Sequence, residues 1–337
     1  MKISYLILTS ATIILTIITG LSNDNSKIRK SSGEPDNPLF LAGNYIGEAE
    51  TKDYLTSPLE GDNKEAKPLN SCYNSSLQSF LELEINKNPQ WKKLIDNRKM
   101  SVGIVDLSDI TNPRFANING NHMMYAASLP KIAVLLAVTD ALEKKEIKET
   151  EEVKKDMRLM ISKSNNQATT RLIDLVGYKK IESVVRDPKY KLYEETEGGG
   201  LWVGKRYAAG GATNREPLKN LSHAATANQV CRFYYMLFNK KLVSAERSNQ
   251  MLDIMKDPEL HHKFVNTLEK IAPGAKLFRK SGSWKSWHSD SVLVLGKKRK
   301  YILVALIEDS KGEQIIRDLV VPVEKAINNK VAVVSTL

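Results

Sequence analysis

The chain predicts an α/β (α+β) fold, one five-stranded sheet with flanking helices and an inserted all-helical portion. Three observations carry that expectation. Apolar runs of strand character come in two groups, two near residue 100 and three after residue 275. Between the groups the apolar spacing is helical. Helical segments also bracket the whole, one before the first strand and one at the end. Strands split by a long helical middle share one sheet only if both ends of the chain meet there. With 337 residues, 42% of them hydrophobic, the chain can bury one large core or two small ones.

Residues 1–22 read as an export signal. Lys2 is a minimal positive end, residues 5–18 are an apolar run, and Gly20-Leu21-Ser22 is a small-x-small cleavage site. The alternative is an uncleaved N-terminal anchor, for which the run is short. A secreted or periplasmic protein is expected. Residues 23–70 are polar and aperiodic, as in SSGEPDNP and EGDNKEAKP, and read as a disordered linker. The folded part, residues 71–337, then divides into a sheet portion (about 71–127 and 223–337) and a helical portion (about 128–222).

Leu77, Phe80, Leu81 and Leu83 support a helix from 75 to about 98, broken near Pro89. Strands follow at 101–107 and 114–118, around a turn at Asp109, Asn112 and Pro113. A helix opening at Ser128 runs to about 144, and helical segments continue to about 186. Residues 187–222 are the longest irregular stretch, with Gly198-Gly199-Gly200 and Gly210-Gly211. Helices are expected at about 223–239 and 245–255, strands at 276–282, 291–295 and 301–307, and a last helix at about 313–328. The basic run Lys297-Lys298-Arg299-Lys300 separates two of those strands and reads as a hairpin turn.

The formal net charge is +11, spread along the chain. No aromatics interleave with the basic residues, which argues against nucleic acid as a partner. The charge fits peripheral association with an anionic envelope, and a monomer is expected. Cys72 and Cys231 are the only cysteines. Export permits a bridge between them, while the helical setting of Cys231 favours simple burial. Two thiols make no metal site and the five histidines show no ligand spacing, so neither metal nor cofactor is expected.

Three segments carry chemistry. Ser128-Leu129-Pro130-Lys131 opens an apolar helix. Positions three apart share a helix face, so Lys131 can take the proton of Ser128, and the helix N-terminus favours the alkoxide. Serine activated by lysine is a known nucleophile arrangement. Alone, the motif reads as well as an N-cap serine followed by a solvated lysine. Ser164-Asn165-Asn166 places a hydroxyl and an amide before a helical run, where an ordinary N-cap is the plainer reading. Lys280-Ser281-Gly282 ends an apolar strand, where lysine and serine can hold a carboxylate and glycine leaves room for close approach.

In this order and these settings the segments resemble the motif set of serine β-lactamases and penicillin-binding proteins. The chain resembles the class A β-lactamase-like serine hydrolases over about 75–328, and SHAATANQVCRFYYML resembles that family's helix before its closing strands. The resemblance implies a β-lactamase/transpeptidase-like antiparallel sheet. It implies Ser128 as acylated nucleophile, Lys131 as general base and Ser164 as proton shuttle to the leaving nitrogen. Asn166, Lys280, Ser281 and Gly282 would bind substrate, and the backbone N–H groups of Ser128 and Ser283 would form an oxyanion hole.

The match departs in four ways. The middle motif is SNN, the third is KSG, and Ser128 and Ser164 are only 36 positions apart. In residues 193–207 there is no Glu-x-x-x-Asn spacing for the glutamate that clears the acyl-enzyme in class A enzymes. Glu194, Glu195 and Glu197 are the candidates there, against the plainer reading of solvated charges. Trp202 and Lys205 either line the cleft or, for Trp202, pack in the interior. Three functions remain open. The expected one is β-lactam hydrolysis; the alternative is a penicillin-binding, DD-peptidase-like acyltransferase on cell-wall peptides that deacylates slowly; the third is a non-catalytic envelope-binding or sensor domain.

Overall fold

The computed structural model describes residues 66–329. The expected export signal and most of the expected linker lie outside them. The linker expectation is corrected at its end, because Leu69 is buried against the core.

Helix α1 (Ser75–Asn86) starts at Asn74, whose side chain accepts the Leu77 N–H. Helix α2 (Pro89–Asp96) starts at Asn88 with Pro89 in its first turn, so the expected break is a full stop between two helices. Strands β1 (Met100–Asp106) and β2 (Arg114–Ile118) pair antiparallel, and short β3 (Met124–Tyr125) leads to α3 (Lys131–Glu143). Helices α4 (Glu151–Ser162) and α5 (Asn166–Val185) are capped by Thr150 and Asn165. Short strands β4 (Tyr193–Glu194), β5 (Gly199–Gly200), β6 (Trp202–Val203) and β7 (His223–Ala225) follow. Then come α6 (Ala227–Phe238), α7 (Ala245–Met255) and α8 (Phe264–Ile271). Strands β8 (Lys276–Trp284), β9 (Trp287–Gly296) and β10 (Arg299–Glu308) and helix α9 (Gly312–Asn328) close the fold.

The main sheet has the order β2-β1-β10-β9-β8, antiparallel at every step, so both ends of the described chain build it. Side chains alternate between faces along a strand. In β10, Ile302, Val304 and Leu306 face a core shared with α3 and α6, while Tyr301, Leu303, Ala305 and Ile307 face a core shared with α1 and α9. A sheet covered on both faces needs apolar residues at nearly every position, which is why its strands are so legible. At Gly103 an added Cβ would sit 2.7 Å from Cys231 Sγ, so α6 lies close on β1. Cys231 is thus committed to packing, and both cysteines are free and buried; no bridge forms.

Three expectations about elements are corrected. Residues 223–225 form strand β7 between β3 and β6, and the helix begins only after Thr226, whose side chain accepts the Gln229 N–H. Helix α8 was not anticipated; it buries Phe264, Val265 and Leu268. The stretch 187–222, expected to be irregular, contains β4, β5 and β6.

Candidate active site

Strand β8 is an edge of the main sheet, and its far end runs beside the turn that precedes α3. A Cβ on Gly282 would lie 2.4 Å from Ala126 O and 2.6 Å from Ser128 N. Only glycine permits that approach. Ser128 is half-buried in the turn, whose Leu129 N–H donates to Ala126 O. Ala127, just before it, is left-handed at φ 49°, and Ser164, between α4 and α5, is left-handed at φ 55°. Non-glycine residues adopt this conformation at a cost that surrounding contacts must offset.

For Ser164 those contacts come from two buried lysines. Lys131 Nζ donates to Ser164 O at 2.7 Å and Asn166 Oδ1 at 2.8 Å, and approaches Ser164 Oγ at 3.4 Å. Lys280 Nζ donates to Ser164 Oγ at 2.8 Å and Ser281 O at 2.7 Å. Ser164 Oγ therefore faces two donors, which leaves its own proton to point outward. Burial pushes the Lys131 ammonium down to about 7. Burial, and then the neighbouring Lys131, hold Lys280 well below the usual lysine range. Among the described residues no hydrogen bond joins Lys131 Nζ to Ser128 Oγ; the bonds of the lysine go to Ser164 and Asn166, while its own N–H donates to Ser128 O at 3.3 Å, one turn back.

These groups border a cleft of about 670 Å³. Ser128, Asn166 and Ser283 line it, with Tyr125, Lys205, Tyr207, His223 and Trp287. Lys131, Lys280 and Ser281 are buried behind it, and Ser281 Oγ lies 3.4 Å from His262 Nε2. The ring of Tyr207 packs under the Lys131 ammonium, 4.4 Å from centroid to nitrogen. Burial pushes His223 down to about 4, so its ring is neutral at pH 7. Its Nε2–H donates to Lys205 O at 3.0 Å, which leaves Nδ1 to accept the Ser222 hydroxyl at 2.9 Å. No carboxylate is among the lining residues.

That last point corrects the expectation for Glu194, Glu195 and Glu197. Glu195 pairs with Arg186 at 2.8 Å, and Glu197 accepts from Gln229 at 3.1 Å and faces Arg232. Glu197 borders a different depression, beside Lys67 and Tyr235, and Glu194 lies on β4 away from the cleft lining. Trp202 is interior, donating to Asn214 O at 2.6 Å and packing on Tyr193. The sought Glu-x-x-x-Asn spacing does occur, beyond the stretch where it was expected, at Glu216-Pro217-Leu218-Lys219-Asn220. Glu216 is 1% exposed. It accepts the N–H groups of Leu218, Lys219 and Leu221 and the Tyr193 hydroxyl, so its lone pairs are spent within the loop.

Comparison with known proteins gives a family and a fold. The profile of the beta-lactamase enzyme family matches residues 88–157 and 153–331. Among solved structures, the chain is similar to a beta-lactamase from Sphaerobacter thermophilus, with TM-score 0.56 and 16% identity, over 75% of this chain and 95% of that one. It is similar to a beta-lactamase from Chitinophaga pinensis, with TM-score 0.56 and 14% identity over 76% and 100%. It is also similar to a PBP-A mutant solved as its acyl-enzyme complex with penicillin G, with TM-score 0.57 and 17% identity over 75% and 97%. At such identities the structural likeness is one of fold. No curated protein sequence matches.

Proposed function

The chain belongs to the beta-lactamase enzyme family, and from that premise we propose that it is an exported serine hydrolase that β-lactams acylate at Ser128. The observation that supports this reading most is the doubly bonded Ser164 between two lysines held away from full charge. Lys131 as the free amine takes the Ser128 proton, directly or through Ser164. Ser128 Oγ attacks the lactam carbonyl, and the N–H groups of Ser128 and Ser283 hold the resulting oxyanion. The ring C–N bond then breaks as Ser164 delivers a proton to the leaving nitrogen, which opens the ring and leaves the ester. Asn166 and the N–H donors of Lys280 favour an amide-bearing substrate with hydrogen-bond acceptors.

Release of the acyl group is the slower half. Hydrolysis of the ester needs a base for water, and no carboxylate lines the cleft, while Glu216 is tied within its loop. That favours the penicillin-binding, slowly deacylating reading over fast β-lactam turnover. The test is intact-mass spectrometry over time after mixing with benzylpenicillin. The expected result is an adduct of one whole penicillin that persists for minutes or longer, and none on Ser128→Ala. Absence of any adduct and of any hydrolysis would overturn the reading. Hydrolysis of a chromogenic cephalosporin above about 10 s⁻¹ would move the protein to the fast β-lactamase class.

A further inference from the structure

Each N–H of the proposed oxyanion hole belongs to a peptide unit whose carbonyl comes from the preceding residue. For Ser283 that carbonyl is Gly282 C=O; for Ser128 it is Ala127 C=O. The described chain has no cis peptide, and in a trans unit the N–H points opposite to the C=O. Whatever binds those carbonyls therefore acts on the oxyanion donors from behind.

Both carbonyls carry a side-chain donor from outside the three motifs. Lys263, 0% exposed, donates to Gly282 O at 2.5 Å, Ser283 Oγ at 2.8 Å and Ser289 O at 3.0 Å. Tyr207 OH donates to Ala127 O at 3.1 Å. A donor on a carbonyl draws electron density from the whole amide, strengthens its N–H as a donor and fixes its plane, and an ammonium does so more strongly than a hydroxyl. We infer that Lys263 and Tyr207 are positioning residues that polarise and orient the two peptide units of the oxyanion hole.

The placement of Lys263 supports more than space-filling. Burying an ammonium is costly, and an apolar side chain of the same length would fill the space without that cost. Lys263 also sits at φ 57° and ψ −128°, a strained backbone held by the adjacent Phe264 N–H on Asp290 Oδ2. Asp290 is itself held by Arg279, through bonds of 2.7 and 3.0 Å. The lysine's own bonds thus fall on the end of β8 that meets Ser128 and on Ser289, the partner of Gly282 on β9. Burial pushes it down to about 8, so it keeps its proton near neutral pH.

The inference rests on the acyl-enzyme reading, and two variants test it separately. Lys263→Met removes the ammonium donor at nearly constant volume and leaves only the Ser289 hydroxyl, 3.4 Å from Gly282 O; Tyr207→Phe removes only the hydroxyl and keeps the ring under Lys131. Acylation by a chromogenic cephalosporin is expected to slow about tenfold in each, with the preceding binding constant unchanged. Isotope-edited infrared spectra of the penicillin adduct should show the ester carbonyl stretch at higher frequency than in the parent. In the unliganded protein, the amide proton of Ser283 should move upfield in Lys263→Met, and that of Ser128 in Tyr207→Phe. Unchanged amide shifts and an unchanged carbonyl stretch, in variants that fold, would overturn the inference even if acylation slowed. If the parent forms no adduct, the acyl-enzyme reading fails, and the amide shifts still decide the polarisation. If Lys263→Met does not fold, Tyr207→Phe decides alone, an unmoved Ser128 amide counting against it.

Discussion

The floor of the cleft and the loop beside it hold buried charges in the same way, with several hydrogen bonds each, yet the bonds lead to different places. Lys131 reaches Ser164 across 33 positions of sequence, and Lys280 reaches the same serine across 116. These bonds tie a helix start, a helix link and a sheet edge into one arrangement. Glu216 instead accepts from Leu218, Lys219 and Leu221, within five positions of itself, and from Tyr193. Long-range bonds bring reactive groups together; local bonds use a carboxylate to shape its own loop. On the proposed acyl-enzyme reading, the difference matches the two halves of the chemistry: the floor would supply what acylation needs and the loop would withhold what deacylation needs.

Breaking the floor should have the largest effect. Lys131→Met should slow acylation about a thousandfold, within the range for a general base. Its pH profile sharpens the point. The free amine is the active form, and burial places its pKa at about 7. Acylation should therefore rise as pH passes upward through 7 and level off above, whereas an unperturbed lysine would keep the rate rising toward pH 10. Stopped-flow acylation across pH 5–9 checks this, and a rate still climbing at pH 9 would separate Lys131 from the proton transfer. Gly282→Ala should cost about a hundredfold in acylation, comparable to losing one oxyanion donor. Its Cβ would clash with both Ala126 O and Ser128 N, and both are backbone.

The contrast also explains what could be read from the sequence. The five strands were legible because the sheet is covered on both faces, which leaves long apolar runs. The three motifs were legible because acyl transfer fixes residue types at short spacings. The spacing of Ser128 and Lys131 gave no sign that the lysine would bond Ser164 and Asn166, which lie 33 and 35 positions away. His223–Ala225 carries no period of its own and becomes a strand only because β3 and β6 flank it. Helix α8 is short and enters through the strained Lys263, which blurs its start. Glu216 had a readable signal in its spacing to Asn220, but its burial within the loop did not. Lys263 and Tyr207 act through carbonyls of residues far along the chain, and no local pattern encodes such a contact.

Breaking the loop should have the smallest kinetic effect, and this is the sharpest test of the comparison. In Glu216→Gln one carboxylate oxygen becomes an NH₂ group that opposes the N–H and hydroxyl donors now bound there. Leaving buried donors unsatisfied costs about 2–3 kcal/mol, so the denaturant midpoint should fall. If Glu216 only shapes the loop, the penicillin adduct on the folded variant should decay within about twofold of the parent rate, since no base for water has been removed. If the loop opens after acylation and frees Glu216 to activate water, the adduct should outlive the parent's by about a hundredfold or more. Time-resolved intact mass on both proteins distinguishes the two. The second outcome would erase the difference between floor and loop, because the bonds around Glu216 would then store a base rather than use one up.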